Sequence, residues 1–431
     1  MKIIIKNVLV LPMTRKEDLF RGSIAVEDGK IFAMGEIPED FQGELIIDGS
    51  GKIALPGLIN SHTHAAMQYF KNFNDTHSDL ETWLQAVWKY EAVLKKEDIK
   101  IASTMAIAEM IRGGTTCFTD MYFDVEQTVE ALIETRMKAT VGLTLFGDLE
   151  ESKRRIEKSL SYLKEVRADH PHHVSFDVAP HAIYTCTRDT YTYGKKIADE
   201  NGCRLHTHLS ESPFEVEQSK RNNGRSPISY LNSLQVLDSN TYLAHVVHPI
   251  DEDLDILRRT GVSVIHNPSS NCKLGNGIAP ISLYKDSQVN VALGTDGSSS
   301  NNTLDMFKEM RLAAMISAAS TRNPVALTPF DIIRMATANG AKALGKDSSC
   351  GTLEIGKDAD IILVDTDKPH ISPMNDPYSA IVYTCSSFDV DTVMIRGDIV
   401  YHENRFSYID IEREESRIRE KWEAIKQRVT T

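Results

Sequence analysis

Pro56-Gly57-Leu58-Ile59-Asn60-Ser61-His62-Thr63-His64 decides how this chain is read. An apolar run, predicted as a strand over residues 53–60, ends in two histidines spaced two apart. Side chains two apart on a strand share a face, so both imidazoles are aimed the same way. Imidazole is a good ligand for zinc and other borderline metals. By itself the pattern suits two polar loop residues equally well. The rest of the chain tips the balance, because similar groups recur at predicted strand ends: Leu205-His206-Thr207-His208-Leu209-Ser210-Glu211, Leu243-Ala244-His245 and Leu293-Gly294-Thr295-Asp296-Gly297. A lone Thr-Asp-Gly is usually a turn or a helix cap. Four such groups, at the ends of strands one, five, six and eight, point to a metal site. His206 and His208 share a face, so one is read as a ligand and the other as packing behind it. His248 and His266 are as readily structural as functional.

Outward from these groups, strand patterns at 53–60, 115–120, 140–145, 174–179, 204–208, 241–245, 262–266 and 289–294 alternate with helical ones at 98–112, 125–138, 155–166, 189–201, 251–260 and 331–344. Strands alternating with helices imply a parallel sheet, and eight such units favour closure into a (β/α)8 TIM barrel, α/β in class, whose site lies at the C-terminal ends of the strands. Both termini read differently. Short strands are predicted at 2–10, 21–27, 30–34 and 44–48, and again at 351–353, 359–365, 379–383, 390–396 and 399–402, with Gly- and Asp-rich turns between them. Residues 1–55 and 352–431 are therefore assigned to one composite β-sandwich with a charged surface helix at 409–429, and residues 56–351 to the barrel.

The chain has 431 residues, enough for a barrel and a small companion. Its net charge of −13 disfavours nucleic acid and acidic membrane surfaces. The six cysteines are irregularly spaced without a C-x-x-C pair, as reduced thiols in a cytoplasmic protein would be. Neither a signal peptide nor a run of the roughly 20 apolar residues a membrane helix needs is found. A homo-oligomer is left open.

The ligand groups, together with Thr119-Asp120-Met121-Tyr122, Ala179-Pro180-His181, the stretch from Asn267 to Gly275, Gly277-Ile278-Ala279-Pro280, Asp296 through Asn302 and the tail Gly356-Lys357-Asp358-Ala359-Asp360-Ile361, resemble the amidohydrolase superfamily over nearly the whole chain. Within it they look like the 5-methylthioadenosine/S-adenosylhomocysteine deaminases, near relatives of triazine hydrolases and guanine deaminases. The resemblance implies that His62, His64, His208 and Asp296 hold one divalent metal, zinc first, with Fe2+ or Mn2+ as alternatives. It implies catalytic work for Glu211, His245 and Asp296, and substrate contacts for Glu91, His181, Glu211 and Asp296. Asp296 would take the proton of water, His245 would orient it, and Glu211 would protonate the ring nitrogen beside the attacked carbon. No lysine stands at the end of strand three or four to bridge a second metal.

Glu91 can be judged without the resemblance. Apolar residues at 80, 83, 84, 87 and 88 have helical spacing, and 91 continues their face. A carboxylate there is costly unless paired or functional. Ribose hydroxyls would suit it, and a salt bridge is the plainer alternative. Trp83 and Trp88 are read as core, with stacking on a base as the alternative and one of them able to do both. His181 has a capping role as its alternative. One departure bears on the substrate: members accepting S-adenosylhomocysteine grip its carboxylate with arginines after strand three, where this chain reads Leu143-Thr144-Leu145-Phe146-Gly147-Asp148. Arg154 and Arg155 follow, as substrate contacts or as the exposed start of a helix. The expected substrate is thus a small nucleoside, a 5′-modified adenosine without a carboxylate. The competing readings are hydrolysis of another ring, such as guanine or an s-triazine, and a non-catalytic scaffold, which would have lost its ligands.

Overall fold

The computed structural model describes residues 1–73, 75–76 and 80–430. Eight parallel strands form a nearly closed barrel: β1 (Leu58–Thr63), β2 (Thr115–Tyr122), β3 (Lys138–Leu145), β4 (Val174–Pro180), β5 (Leu205–Leu209), β6 (Thr241–His245), β7 (Ser263–His266) and β8 (Asn290–Leu293). Their residues are almost all buried, as expected when helices cover a parallel sheet. Just past β8, the Asp296 N–H donates to the His62 carbonyl at 3.0 Å and draws the last strand back to the first.

A second, mixed sheet of nine strands is built from both ends of the chain. The two halves meet where Lys52–Pro56 runs antiparallel to Ile361–Asp365. Ile3, Ile5, Val8 and Val10 bury one face of Lys2–Val10 against Ala54, Ile361 and Leu363. The predicted strand at 53–60 is thus two strands, one in each sheet. They part at Gly57, where a Cβ would lie 2.0 Å from Thr116 Oγ1, so only glycine can stand there.

Other predicted elements need correction. Residues 379–383 are helical: Asp376 caps Ser379 N at 2.7 Å, Pro377 opens the turn, and Ala380–Thr384 continues as a π-helix. Residues 351–353 form no strand. The helix predicted at 331–344 is two, Pro329–Met335 and Ala338–Ala343, because the Ala336 carbonyl accepts from Ile59 N of β1 at 2.8 Å. The helix predicted at 155–166 starts earlier and runs Leu149–Asp169, with the Asp148 side chain capping Glu151 N at 3.0 Å.

Two contacts tie the terminal segments to the barrel. Lys138, at the start of β3, is buried and donates to Asp358 (2.8 Å) and to both oxygens of Asp360 (2.8 and 2.6 Å). The final helix, Ile411–Thr430, keeps its charged face in water but packs Trp422 and Ile425 with Tyr69, Phe70, Trp83 and Val87. Among the described residues no helix is long and apolar enough to cross a membrane. All six cysteines are free thiols.

Candidate metal centre and active site

The ends of β1, β5 and β6 and the turn after β8 bring their polar groups together. Ligand atoms of His62, His208, His245 and Asp296 lie within 4.8 Å of one another, all four residues buried. His64 joins them, its Nε2 being 3.1 Å from Asp296 Oδ1 and 3.2 Å from His208 Nε2. His62 Nε2 is 3.2 Å from the same Asp296 oxygen. All four sequence-assigned ligands therefore converge, and His245 stands within the same cluster.

The second nitrogen of each ring is engaged. Nδ1 of His64 meets the Met121 carbonyl at 2.6 Å, and Nδ1 of His208 meets the His181 carbonyl at 2.7 Å. A carbonyl only accepts, so in both rings Nδ1 carries the proton and the Nε2 lone pair faces the centre. That is the tautomer a metal takes up. His245 Nδ1 is 2.9 Å from Asn271 Oδ1, and His62 Nδ1 is 3.0 Å from His206 Nε2. His206 is thus the member of its pair that supports from behind, with its ring stacked on Tyr242 at 4.2 Å. His62 Nε2 is buried, with Asp296 Oδ1 beside it at 3.2 Å. Converging imidazole lone pairs around one carboxylate are a donor set that fits a borderline cation such as zinc.

The backbone is bent to achieve this. Asp296 has φ +61°, and its Oδ2 accepts from Ser270 Oγ (2.6 Å) and Ser300 Oγ (2.8 Å). At Gly294 a Cβ would sit 2.9 Å from His62 N, so the Gly-Thr-Asp-Gly run lets β8 approach β1. His245 and Val246 take φ +75° and +43°, and a β-branched residue there marks stored strain. Burial pushes Asp296 up, but the closeness of His62 and His64 outweighs this and holds it well below the carboxylate range.

Glu211 is buried just past β5. Its Oε2 is 3.8 Å from His245 Nε2, and its Oε1 accepts from Asn276 Nδ2 at 2.8 Å. Burial raises its pKa, against the opposing pull of His245. The turn carrying it, with Ser210 at φ +52°, is held by Glu215, whose carboxylate receives the Ser210 and Glu211 N–H groups at 3.0 and 2.8 Å. Asn276, Glu215, Asn271, Ser270 and Ser300 carry no role in the sequence reading. The Asn267–Gly275 stretch stands out there only by likeness, and nothing local marks Asn276 or Glu215.

A small inner cavity of about 60 Å³ lies against His64, His208, His245, Glu211 and Asp296. It shares Trp88, Glu91, Tyr122, Phe146 and Tyr184 with an outer chamber of about 920 Å³. Glu91 ends the helix Leu80–Glu91 and accepts from Tyr122 Oη at 2.6 Å, a partner the sequence does not reveal. Burial raises its pKa against that hydrogen bond. His181 lines the inner cavity, its Nδ1 2.8 Å from Thr185 Oγ1. Burial, with His64 and His62 nearby, lowers its pKa to about 3, so it is neutral. Leu145 is fully buried in the core and Phe146 alone of that pair reaches the cavities. Trp83 is buried yet lines the inner cavity, and Trp88 is 37% exposed and lines both, so neither is purely core. Arg154 and Arg155 border the outer chamber in the second turn of their helix, both paired with Glu151 at 2.6 and 3.0 Å.

Residues 53–400 match the Amidohydrolase family, and the chain belongs to it. It is 38% identical over 417 residues to a 5-methylthioadenosine/S-adenosylhomocysteine deaminase of Thermoanaerobacter pseudethanolicus, covering 96% of each chain. It is 38% identical over 414 residues to a 5′-deoxyadenosine deaminase of Methanosphaera stadtmanae, covering 95% of this chain and 96% of that one. A crystal structure of an adenosine deaminase from Xanthomonas campestris with bound zinc superposes with a TM-score of 0.91 at 28% identity, over 99% of this chain and 98% of the other.

Proposed function

We propose that this chain is a metal-dependent hydrolytic deaminase that converts 5′-modified adenosines to the inosine analogue and ammonia. The observation that carries this reading is Glu211. Its buried carboxyl is biased towards the protonated form, sits 3.8 Å from His245 and faces the cavity that holds the converging imidazoles. The relatives named as deaminases support the substrate class.

His62, His64, His208 and Asp296 would hold the metal, zinc being the choice the imidazole-rich donor set favours. A metal so held supplies Lewis acidity that brings the pKa of a bound water from 15.7 to about 7. Asp296, kept ionised by its neighbours, accepts the proton of the attacking water. His245, with Nδ1 fixed by Asn271, presents Nε2 to that water and orients it. Glu211 gives its proton to the ring nitrogen next to the carbon bearing the amino group, which makes that carbon electrophilic. Asp296 passes the water proton to the departing amino group, the C–N bond breaks to release ammonia, and the hydroxyl proton on the attacked carbon returns to Glu211 as the carbonyl forms. Proton shuttles of this kind contribute roughly 10²–10⁴-fold.

Glu91 would accept from the ribose hydroxyls, and neutral His181 would face the base. Trp88, Phe123 and Phe146 give the outer chamber an aromatic wall beside the inner cavity. Glu151 pairs with both Arg154 and Arg155 and competes for them with a substrate carboxylate, which favours an uncharged 5′ group. The chemistry rests on residues 56–351, with 1–55 and 352–431 as the companion domain. The test is ammonia release by metal-replete enzyme from 5-methylthioadenosine, 5′-deoxyadenosine, S-adenosylhomocysteine, adenosine and guanine. Turnover led by the first two supports the reading, and turnover of guanine alone overturns it.

A further inference from the structure

At the opposite, N-terminal end of the barrel lies a third cavity, of about 430 Å³, remote from the metal-ligand cluster. Arg167, Arg204 and Lys346 line it, all half-buried. Among the described residues none of the three has a carboxylate within ion-pair distance, in a chain whose net charge is −13. Each has only neutral partners. Arg167 lies over the Phe176 ring at 4.6 Å and donates to the Asn201 carbonyl at 3.3 Å. Arg204 donates to the Ser239 carbonyl at 2.8 Å. Lys346 Nζ donates to Ser175 Oγ at 2.7 Å, and that hydroxyl is 2.9 Å from Thr140 Oγ1.

The two acids in the wall answer this charge only in part, three cations standing against two carboxylates, of which buried Asp177 feels Lys346 and Arg204. Asp199 shares Lys195 with Asp238. Asp177 is buried and turned inward, taking the Arg204 N–H and the Tyr242 hydroxyl at 2.8 Å each. Gly345, at φ +66°, makes room for the Arg204 guanidinium, since a Cβ there would come within 2.6 Å of Arg204 Nε.

Three like charges gathered around one cavity repel one another, and partial burial weakens the solvent screening that would relieve them. Conserving the fold does not call for this, because the N-terminal face of a barrel ordinarily serves stability. A ligand that restores the balance must be an anion. Two guanidinium forks, an ammonium and two hydroxyls match the tetrahedral oxygens of a phosphate. We propose that this cavity is a binding site for a small phosphomonoester, distinct from the deaminase site and independent of its reading.

The test uses full-length, metal-loaded protein and isothermal titration with ribose 5-phosphate and with inorganic phosphate. One saturable site per chain is expected, weakening as salt is raised. Arg167→Gln and Lys346→Gln should each lower the affinity about tenfold or more, the worth of one charge-assisted hydrogen bond. Arg154→Gln with Arg155→Gln, at the other end of the barrel, should leave it unchanged. Binding of inorganic phosphate equal to that of ribose 5-phosphate would mean that the phosphoryl group alone is read, which still supports the site. No saturable binding of either probe, or binding that survives both Arg167→Gln and Lys346→Gln, or that is lost with the Arg154 and Arg155 pair, overturns it. Each variant is checked by circular dichroism, and if one fails to fold the other still decides.

Discussion

Replacing Lys138 by methionine keeps the length of the side chain and removes its charge. Lys138 Nζ donates to Asp358 Oδ2 and to both oxygens of Asp360, with only 6% of its side chain exposed. Without it Asp358 still has Lys30 (2.6 Å) and Arg396 (3.1 Å), but Asp360 keeps only the Arg396 N–H at 2.9 Å. A buried carboxylate left without its cation costs roughly 3–5 kcal/mol. Equilibrium denaturation of the metal-loaded protein reads this directly. Adding Asp360→Asn, which removes the stranded charge and keeps the acceptor, should recover most of the loss, so the two changes are strongly non-additive. The pH dependence has a definite sign. Burial pushes Asp358 up, but Lys138 outweighs it and holds the folded-state pKa below 3.8, so this group stabilises the native protein above that value and loses the effect as pH falls through the folded pKa. In Lys138→Met, Asp358 loses the partner that holds its pKa down, so the deficit is largest at neutral pH and shrinks in acid. A loss below about 1 kcal/mol, typical of an exposed pair, or a deficit that grows in acid, would refute the reasoning.

Asn276→Leu removes the hydrogen bond that favours ionised Glu211, about 1.5–3 kcal/mol for a charged acceptor. The alkaline limb of the kcat/KM profile, where the acid loses its proton, should move up by roughly one to two pH units at about 1.4 kcal/mol per unit. A lower rate with an unmoved limb would count against Glu211 as the acid. Glu91→Gln should raise KM for adenosines roughly ten- to a hundredfold while kcat changes little, as expected for uniform binding of the ribose; an unchanged KM would place Glu91 outside the sugar site. Glu151→Gln frees Arg154 and Arg155, and the kcat/KM for S-adenosylhomocysteine relative to 5-methylthioadenosine should rise about tenfold, the worth of one charge-assisted contact. A constant ratio would show that neither arginine reaches the substrate.

The barrel was legible because eight strand patterns alternate with helical ones, and the site because four of those strands end in a chemical group, three of them aimed inward by a strand's two-residue period. His62 and His64 at β1, His208 at β5 and His245 at β6 show this most plainly. Where the sequence misled, a tertiary contact overrode local pattern. Residues 53–60 read as one apolar run, but 52–56 pair with Ile361–Asp365 and 58–63 with β2, and Gly57 between them fits against Thr116 only because it lacks a Cβ. The helix at 331–344 is broken by a hydrogen bond from Ile59, far away in sequence. Val382 and Ile381 have strand-like side chains, yet Asp376 and Pro377 start a helix and both residues are buried in it. In the site, residues that touch the cluster directly had readable spacing. Those that act through them, such as Asn276 on Glu211 and Tyr122 on Glu91, come from elements whose approach no local spacing reveals.

The most direct test of the account is the turnover of 5-methylthioadenosine by metal-replete wild-type protein and by Glu211→Gln, followed by ammonia release and the adenine-to-hypoxanthine change in ultraviolet absorbance. The account predicts one ammonia for each adenine ring lost, and a rate lowered by roughly 10²-fold or more in Glu211→Gln with the metal content unchanged. Wild-type protein that binds its metal but leaves every adenosine intact, while hydrolysing guanine or an s-triazine, would contradict it.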